Sequence, residues 1–280
     1  MYKRQPAACC GLVGIKPGSE VVPRDLGSGW FGMAENGPLA TTVADAALMV
    51  SVMSGRSELA DCVEPGSVRV AVSTVPPVAG VRVTTPWRTA TRAIAALLGG
   101  AGHSVVPADP PYGQRLAPSA IVRWVAGTEL DARELPDRAK LSVRTARHAA
   151  LGRVALRAGF PREAGRRRWL RRAEAFMAGH DVLLTPALAT SPPKARAWSD
   201  RGWLANFWSN AQYAPFAAPW NMAGWPAICV PAGLNAAGRP LAVQLVARPG
   251  GEALLLGVAA QIERLRPWPR TAPGRPAPAD

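Results

Sequence analysis

The chain has 280 residues, 48% of them hydrophobic and 19% charged, a balance that excludes disorder as its default and allows one large core or two small ones. Its formal charge of +14 raises nucleic acid or an anionic surface as partners. The excess is arginine, bunched in Arg166-Arg167-Arg168 and Arg171-Arg172; a solvated helix face pairing with scattered acids explains it better than a phosphate-tracking patch, so no nucleic-acid partner is expected.

Up to Thr42 the chain reads as an opening loop. At Thr42-Val43-Ala44-Asp45 a capping hydroxyl and a nearby acid begin a helix, in which Val43, Ala46, Ala47, Val50 and Met53 recur at helical spacing until Gly55. Val68 to Val72 alternates like a strand and ends at Pro76-Pro77. A helix follows Thr85-Pro86 and reaches Gly99-Gly100, and His103 to Val106 reads as a second strand. Strand, helix, strand is the order of a crossover unit beside a sheet.

From Leu116 to Met177 alanine, leucine and arginine dominate, with breaks at Pro136 and Gly159-Phe160-Pro161. Three helices are expected here, a helical layer over residues 116–178. Asp181 to Pro186 reads as a short buried strand. The stretch from Trp198 to Trp225 carries Trp198, Trp203, Trp208, Trp220 and Trp225, rings that suit either a seam between layers or a pocket wall. Ala227 to Pro231 and Leu241 to Val246 are expected strands joined by a turn-forming connection, and Glu252 to Leu265 a last helix. Residues 1–266 thus read as one domain, and 267–280 as a disordered Pro/Arg-rich tail.

Several chemistries find no support. Cys9, Cys10, Cys62 and Cys229 lack the paired spacing of a zinc site, so no metal is expected. His103, His148 and His180 are isolated in sequence and read as surface or interface side chains rather than general bases. Ser28 in Gly27-Ser28-Gly29 has no strand before it and makes no nucleophile elbow. Asp131 and Glu134 sit among arginines as solvated ion pairs, and Gly250-Gly251 lacks the Lys and Ser/Thr of a phosphate loop. No cofactor is expected. Without an apolar run of ~18 residues or a cationic-then-apolar leader, neither a membrane partner nor export is expected. The chain therefore reads as cytoplasmic, with a leader upstream of Met1 left open.

Five motifs in order carry a family resemblance. Arg4-Gln5-Pro6-Ala7-Ala8-Cys9-Cys10-Gly11-Leu12-Val13-Gly14-Ile15-Lys16-Pro17 resembles the stretch that follows Gly-Gly-Ser-Ile in the amidase signature family. Asn36-Gly37-Pro38-Leu39-Ala40-Thr41-Thr42-Val43-Ala44-Asp45 is similar to its Gly-Pro-(Leu/Met)-Ala-Arg-Thr element, with Thr41 where arginine is common. Asp181-Val182-Leu183-Leu184-Thr185-Pro186, Asn221-Met222-Ala223-Gly224-Trp225-Pro226-Ala227 and Pro240 to Val246 resemble its buried strand, its Asn-x-x-Gly-x-Pro-Ala block and its closing strand.

The resemblance implies an α/β fold, a mixed β-sheet core flanked by helices, of which this chain is the C-terminal portion. It implies hydrolysis of a carbon to nitrogen amide bond by a serine relayed through a second serine, in a cis peptide, to a lysine. None of those residues maps onto this chain. Tyr2 falls in the nucleophile's column, and Lys16 matches the family's Lys-Pro turn rather than its base. The chain alone is therefore expected to be inactive, with no catalytic residue of its own. Arg4, Trp208, Trp220, Asn221 and Trp225 are the pocket candidates, for a small-molecule amide in the complete protein, and a homo-oligomer is allowed. The alternatives are a non-catalytic relative serving as subunit or scaffold, and a basic nucleic-acid-binding module.

Overall fold

The most apolar runs of the chain form the middle of a seven-stranded sheet in the computed structural model, which describes residues 3–23, 29–195, 198 and 201–271. Helix α1 (Arg4–Cys10) leads into β1 (Val13–Lys16), a left-handed turn α2 (Gly29–Gly32) into β2 (Leu39–Ala40), and α3 (Val43–Ser54) follows. β3 (Arg69–Val72), α4 (Thr85–Gly100) and β4 (Ser104–Pro107) come next, then α5 (Leu116–Arg133), α6 (Val143–Arg157) and α7 (Glu163–Met177). β5 (Val182–Pro186), α8 (Trp203–Tyr213), α9 (Ala218–Ala223), β6 (Ala227–Leu234), β7 (Pro240–Val246) and α10 (Glu252–Leu265) complete the order.

The strands lie in the order β2-β1-β6-β7-β5-β3-β4. β3 pairs in parallel with β4 and β5, as the crossover through α4 requires, whereas β5/β7, β6/β7, β1/β6 and β1/β2 are antiparallel. β5 is buried at every position, because helices cover both faces of the sheet. Val70, Val182 and Leu184 share one core with α1, α3, α4 and α10; Ala71 and Leu183, the alternate positions, share the other with α5, α7 and α9.

The α/β reading and the elements from Thr42 onward are observed. Thr42 caps α3 by accepting the Asp45 N–H at 3.0 Å. The opening segment differs from the loop expected of it, since it forms α1 and β1. Seven residues make a helix too short to hold by itself, and Gly14 weakens a strand read in isolation. Their contact explains both: a β-carbon at Gly14 would lie 2.7 Å from the Ala7 Cβ and 3.0 Å from the Lys3 carbonyl. Only glycine lets the helix rest on the strand. Of the residues expected to fray, Trp268 donates to the Thr41 carbonyl at 3.0 Å, and 272–280 lie outside the described residues.

The helical layer is pinned by Glu129 of α5, whose side chain is 2% exposed and contacts Arg133, Arg138 and Arg153 at 3.1, 2.7 and 3.3 Å. Burial pushes its pKa up, but the three guanidinium hydrogen bonds outweigh it and hold the carboxyl at about 2. A carboxyl depressed in the folded state adds stability that is full above the unfolded pKa and is lost as pH falls through the folded one. Glu129→Gln should lower stability at pH 7 by about 2 kcal/mol, less than a fully buried pair because the arginines are part-exposed. Chemical denaturation should show the gap to wild type closing as pH drops from about 4.5 toward 2.

Candidate active-site frame

Arg4 stands in the first turn of α1 and is 3% exposed. Its Nη1 donates to Gln244 Oε1 at 2.5 Å; its Nη2 donates to the Ala217 carbonyl at 3.3 Å and to Asn221 Oδ1. Pro219 in the first turn of α9 and the left-handed Gly224 at its end confine this short helix to the turn that presents Asn221. Gln244 is held in turn, its Nε2 donating to Thr185 Oγ1 and to the Phe216 carbonyl, each at 3.2 Å. A guanidinium keeps its charge when buried. Here burial lowers its pKa to about 10, with Cys229 pulling the other way.

Further charges gather around the same strand. Lys3 donates to the Glu35 carbonyl. Lys16, at the end of β1 and 3% exposed, donates to the Pro17 carbonyl at 2.6 Å. Burial, then the Arg4 charge, lowers the Lys16 pKa to about 7, while Glu35 and Glu252 oppose the shift. Glu252, fully buried at the start of α10, accepts the Gly18 N–H at 2.7 Å. The opening motif is thus tied by hydrogen bonds to α9 and β7, and Gly18 just after it to α10.

A cavity of about 270 Å³ opens between α5, α6 and α8. Trp124 is its centre, with ring centroids 4.3 Å from His148, 6.2 Å from Phe207 and 6.5 Å from Trp30. Trp203 stacks on Phe207 at 5.3 Å and donates its Nε1–H to His148 Nδ1 at 2.7 Å. Trp30 reaches the cavity because Gly127 of α5 has no side chain: a β-carbon there would lie 2.4 Å from the Trp30 Cα.

Of the sequence candidates, the structure joins Arg4 and Asn221 directly. Trp220 and Trp225 are 0% and 2% exposed and pack 5.7 Å apart, with Trp169 at 5.3 Å from Trp220, in the core between α7 and α9. Trp208 is 47% exposed on α8, and Tyr2 lies outside the described residues. Two of the histidines expected at the surface or an interface are buried. His103 is buried between the Val68 N–H and the Gln261 side chain, and His148 is buried in the aromatic cluster. Sequence reading missed Gln244, Trp124 and His148; only Gln244 carried a signal, as the one amide in an apolar strand.

The family model described as Amidase matches residues 3–256. AmiB2 of Mycobacterium tuberculosis is 35% identical over 96% of this chain and 60% of its own length. An acylamidase of Rhodococcus erythropolis is 31% identical over 95% of this chain and 59% of its own. The chain thus spans about 60% of the curated relatives it matches. Among solved structures, 6-aminohexanoate cyclic dimer hydrolase complexed with substrate aligns with a TM-score of 0.79 at 26% identity, over 95% of this chain and 63% of that one. A glutamyl-tRNA(Gln) amidotransferase chain from Thermotoga maritima shares the fold, with a TM-score of 0.71 at 24% identity over 94% and 60%.

The buried and exposed candidates should separate in a stability measurement. Asn221→Ala strips a partner from a buried cation and should lower unfolding free energy by about 2 to 3 kcal/mol. Trp208→Ala should change it by less than about 0.5 kcal/mol. Urea unfolding of the two variants checks the contrast.

Proposed function

The chain belongs to the amidase signature family, and from that premise we propose that it supplies the binding frame of an enzyme that hydrolyses carbon to nitrogen amide bonds in small molecules. The observation that carries the reading is the buried Arg4 node, which joins the opening motif to Asn221 and Gln244. Likeness to 6-aminohexanoate cyclic dimer hydrolase supports it as well.

In this reading Arg4 is a positioning residue. It stands two residues from the nucleophile's column, and its hydrogen bonds fix where the backbone enters α1. Such rigidity is what amide hydrolysis needs, because a nucleophile misplaced by about 1 Å loses rate by orders of magnitude. The cavity beside Trp124 takes the organic part of the substrate, with its aromatic walls excluding water.

The column itself holds Tyr2. A phenol cannot replace a short alkoxide activated by a neighbouring base, so these 280 residues are proposed to bind substrate without cleaving it. This feature also favours a second reading, a non-catalytic subunit built on the same frame. Release of ammonia from benzamide and acetamide by the purified chain is the test. We expect none above the buffer blank; turnover that survives removal of contaminating amidases would show that another residue of this chain supplies the nucleophile.

A further inference from the structure

His148, Ala149 and Gly152 make the buried side of α6, and three of its four valine and leucine side chains point the other way. Glycine is required at 152 because a β-carbon there would collide with the Val125 carbonyl of α5. That close contact fixes the rotation of the helix. Val143, Leu151 and Val154 are then left 69, 48 and 64% exposed, whereas a surface helix ordinarily turns such side chains to the core. At about 100° per residue, these three fall with Arg147 and Ala150 on one stripe roughly 17 Å long, and all five are exposed.

The charge of this face has one sign. Between Asp137 and Glu163 the chain carries seven cations and no acid. Arg138 and Arg153 are turned to Glu129. The other five, Lys140, Arg144, Arg147, Arg157 and Arg162, are exposed and make no ion pair among the described residues. Arg147 stands within the stripe, and Arg144 and Arg157 flank it on either side. Glu134 and Asp137, the acids nearest in sequence, lie between α5 and α6 among Arg133, Arg138 and Lys140. Phe160, 40% exposed in the turn after α6, adds a ring 5.0 Å from the Arg162 guanidinium.

Exposed aliphatics with cations beside them match a surface that offers hydrocarbon and phosphate at adjacent depths. A bilayer does so, and it accepts a convex ridge; nucleic acid would satisfy the arginines but leave the aliphatic side chains wet. No helix among the described residues is long and apolar enough to cross a membrane, but a helix lying in the interface needs no such run. We propose that the outer face of α6 seats the protein on an anionic lipid surface. Val143, Leu151 and Val154 enter the boundary between headgroups and acyl chains, while the arginines lay their stems along it and reach the phosphates. This surface is independent of the amide reading above, since it needs neither a nucleophile nor a substrate.

Co-sedimentation of the 280-residue chain with phosphatidylcholine vesicles, with and without phosphatidylglycerol, at about 0.1 M salt tests the proposal. Phosphatidylglycerol should tighten binding about tenfold or more. Arg147→Ala with Arg157→Ala should weaken it about 25-fold, roughly fivefold for each cation. Val143→Ser with Val154→Ser, which leaves the charge unchanged, should weaken it about tenfold. Arg167→Ala with Arg171→Ala removes the same charge from exposed positions of α7 and should change binding less than about twofold. All six positions are solvent-exposed, and circular dichroism verifies that each variant keeps its fold. Equal binding to the two vesicles, or none to either, would overturn the inference. So would a valine pair that binds like wild type, which marks a contact by charge alone as nucleic acid or an acidic protein would make. An α7 pair that loses as much as the α6 pair would overturn it too, because net charge rather than this face would then be responsible.

Discussion

Taking a guanidinium out of water costs several kcal/mol after relaxation, and Arg4, the cation on which the frame depends, is 3% exposed. Its burial is tolerable only because Gln244, Asn221 and the Ala217 carbonyl offer oxygen at the right places. Those groups belong to β7, to α9 and to the turn before α9, so the cation fixes the relative placement of segments more than 200 residues apart in sequence. Gln244 passes the constraint on to β5 through Thr185.

From this node follow features that look unrelated. α1 is too short to hold alone, yet it is fixed at its start by Arg4 and along its side by Gly14, which lets it settle on β1. Lys16 at the far end of that strand is buried beside the same charge, and its pKa falls to about 7. Glu252 ties Gly18 to α10. The helical layer, held by Glu129 and its arginines, carries the aromatic cavity. The frame and the aromatic cavity therefore depend on separate interactions.

How much of this was legible depended on whether the signal was local. The cap at Thr42, the breaks at Pro136 and Gly159, and the apolar strands around Leu183 and Val243 each act within a few residues, and the structure matches them. α1 and β1 were not legible, because packing rather than propensity makes them form. Arg4 and Asn221 were found through their motifs, but nothing local said that they touch. The aromatic stretch from Trp198 to Trp225 divides in a way that spacing cannot foretell: Trp220 and Trp225 fill core, Trp208 faces solvent, and Trp203 borders the cavity. Its other walls come from Trp30, Trp124 and His148, brought from distant segments by tertiary contact. In the arginine-rich stretch of α7, Arg167, Arg171 and Arg172 are exposed and Arg166 and Arg168 half-buried, while Trp169, Ala173 and Met177 face the core and Glu163 pairs with the buried Arg123.

The central claim is that the Arg4 contacts act as one coupled unit, and a double-mutant cycle measures that coupling directly. Unfolding free energies of Arg4→Met, Gln244→Leu and the double variant should yield an interaction of about 2 kcal/mol or more, because each single change strands a buried polar group that the double change removes. Additivity within about 0.5 kcal/mol would contradict the account, showing that the guanidinium is satisfied elsewhere and that the frame does not depend on it.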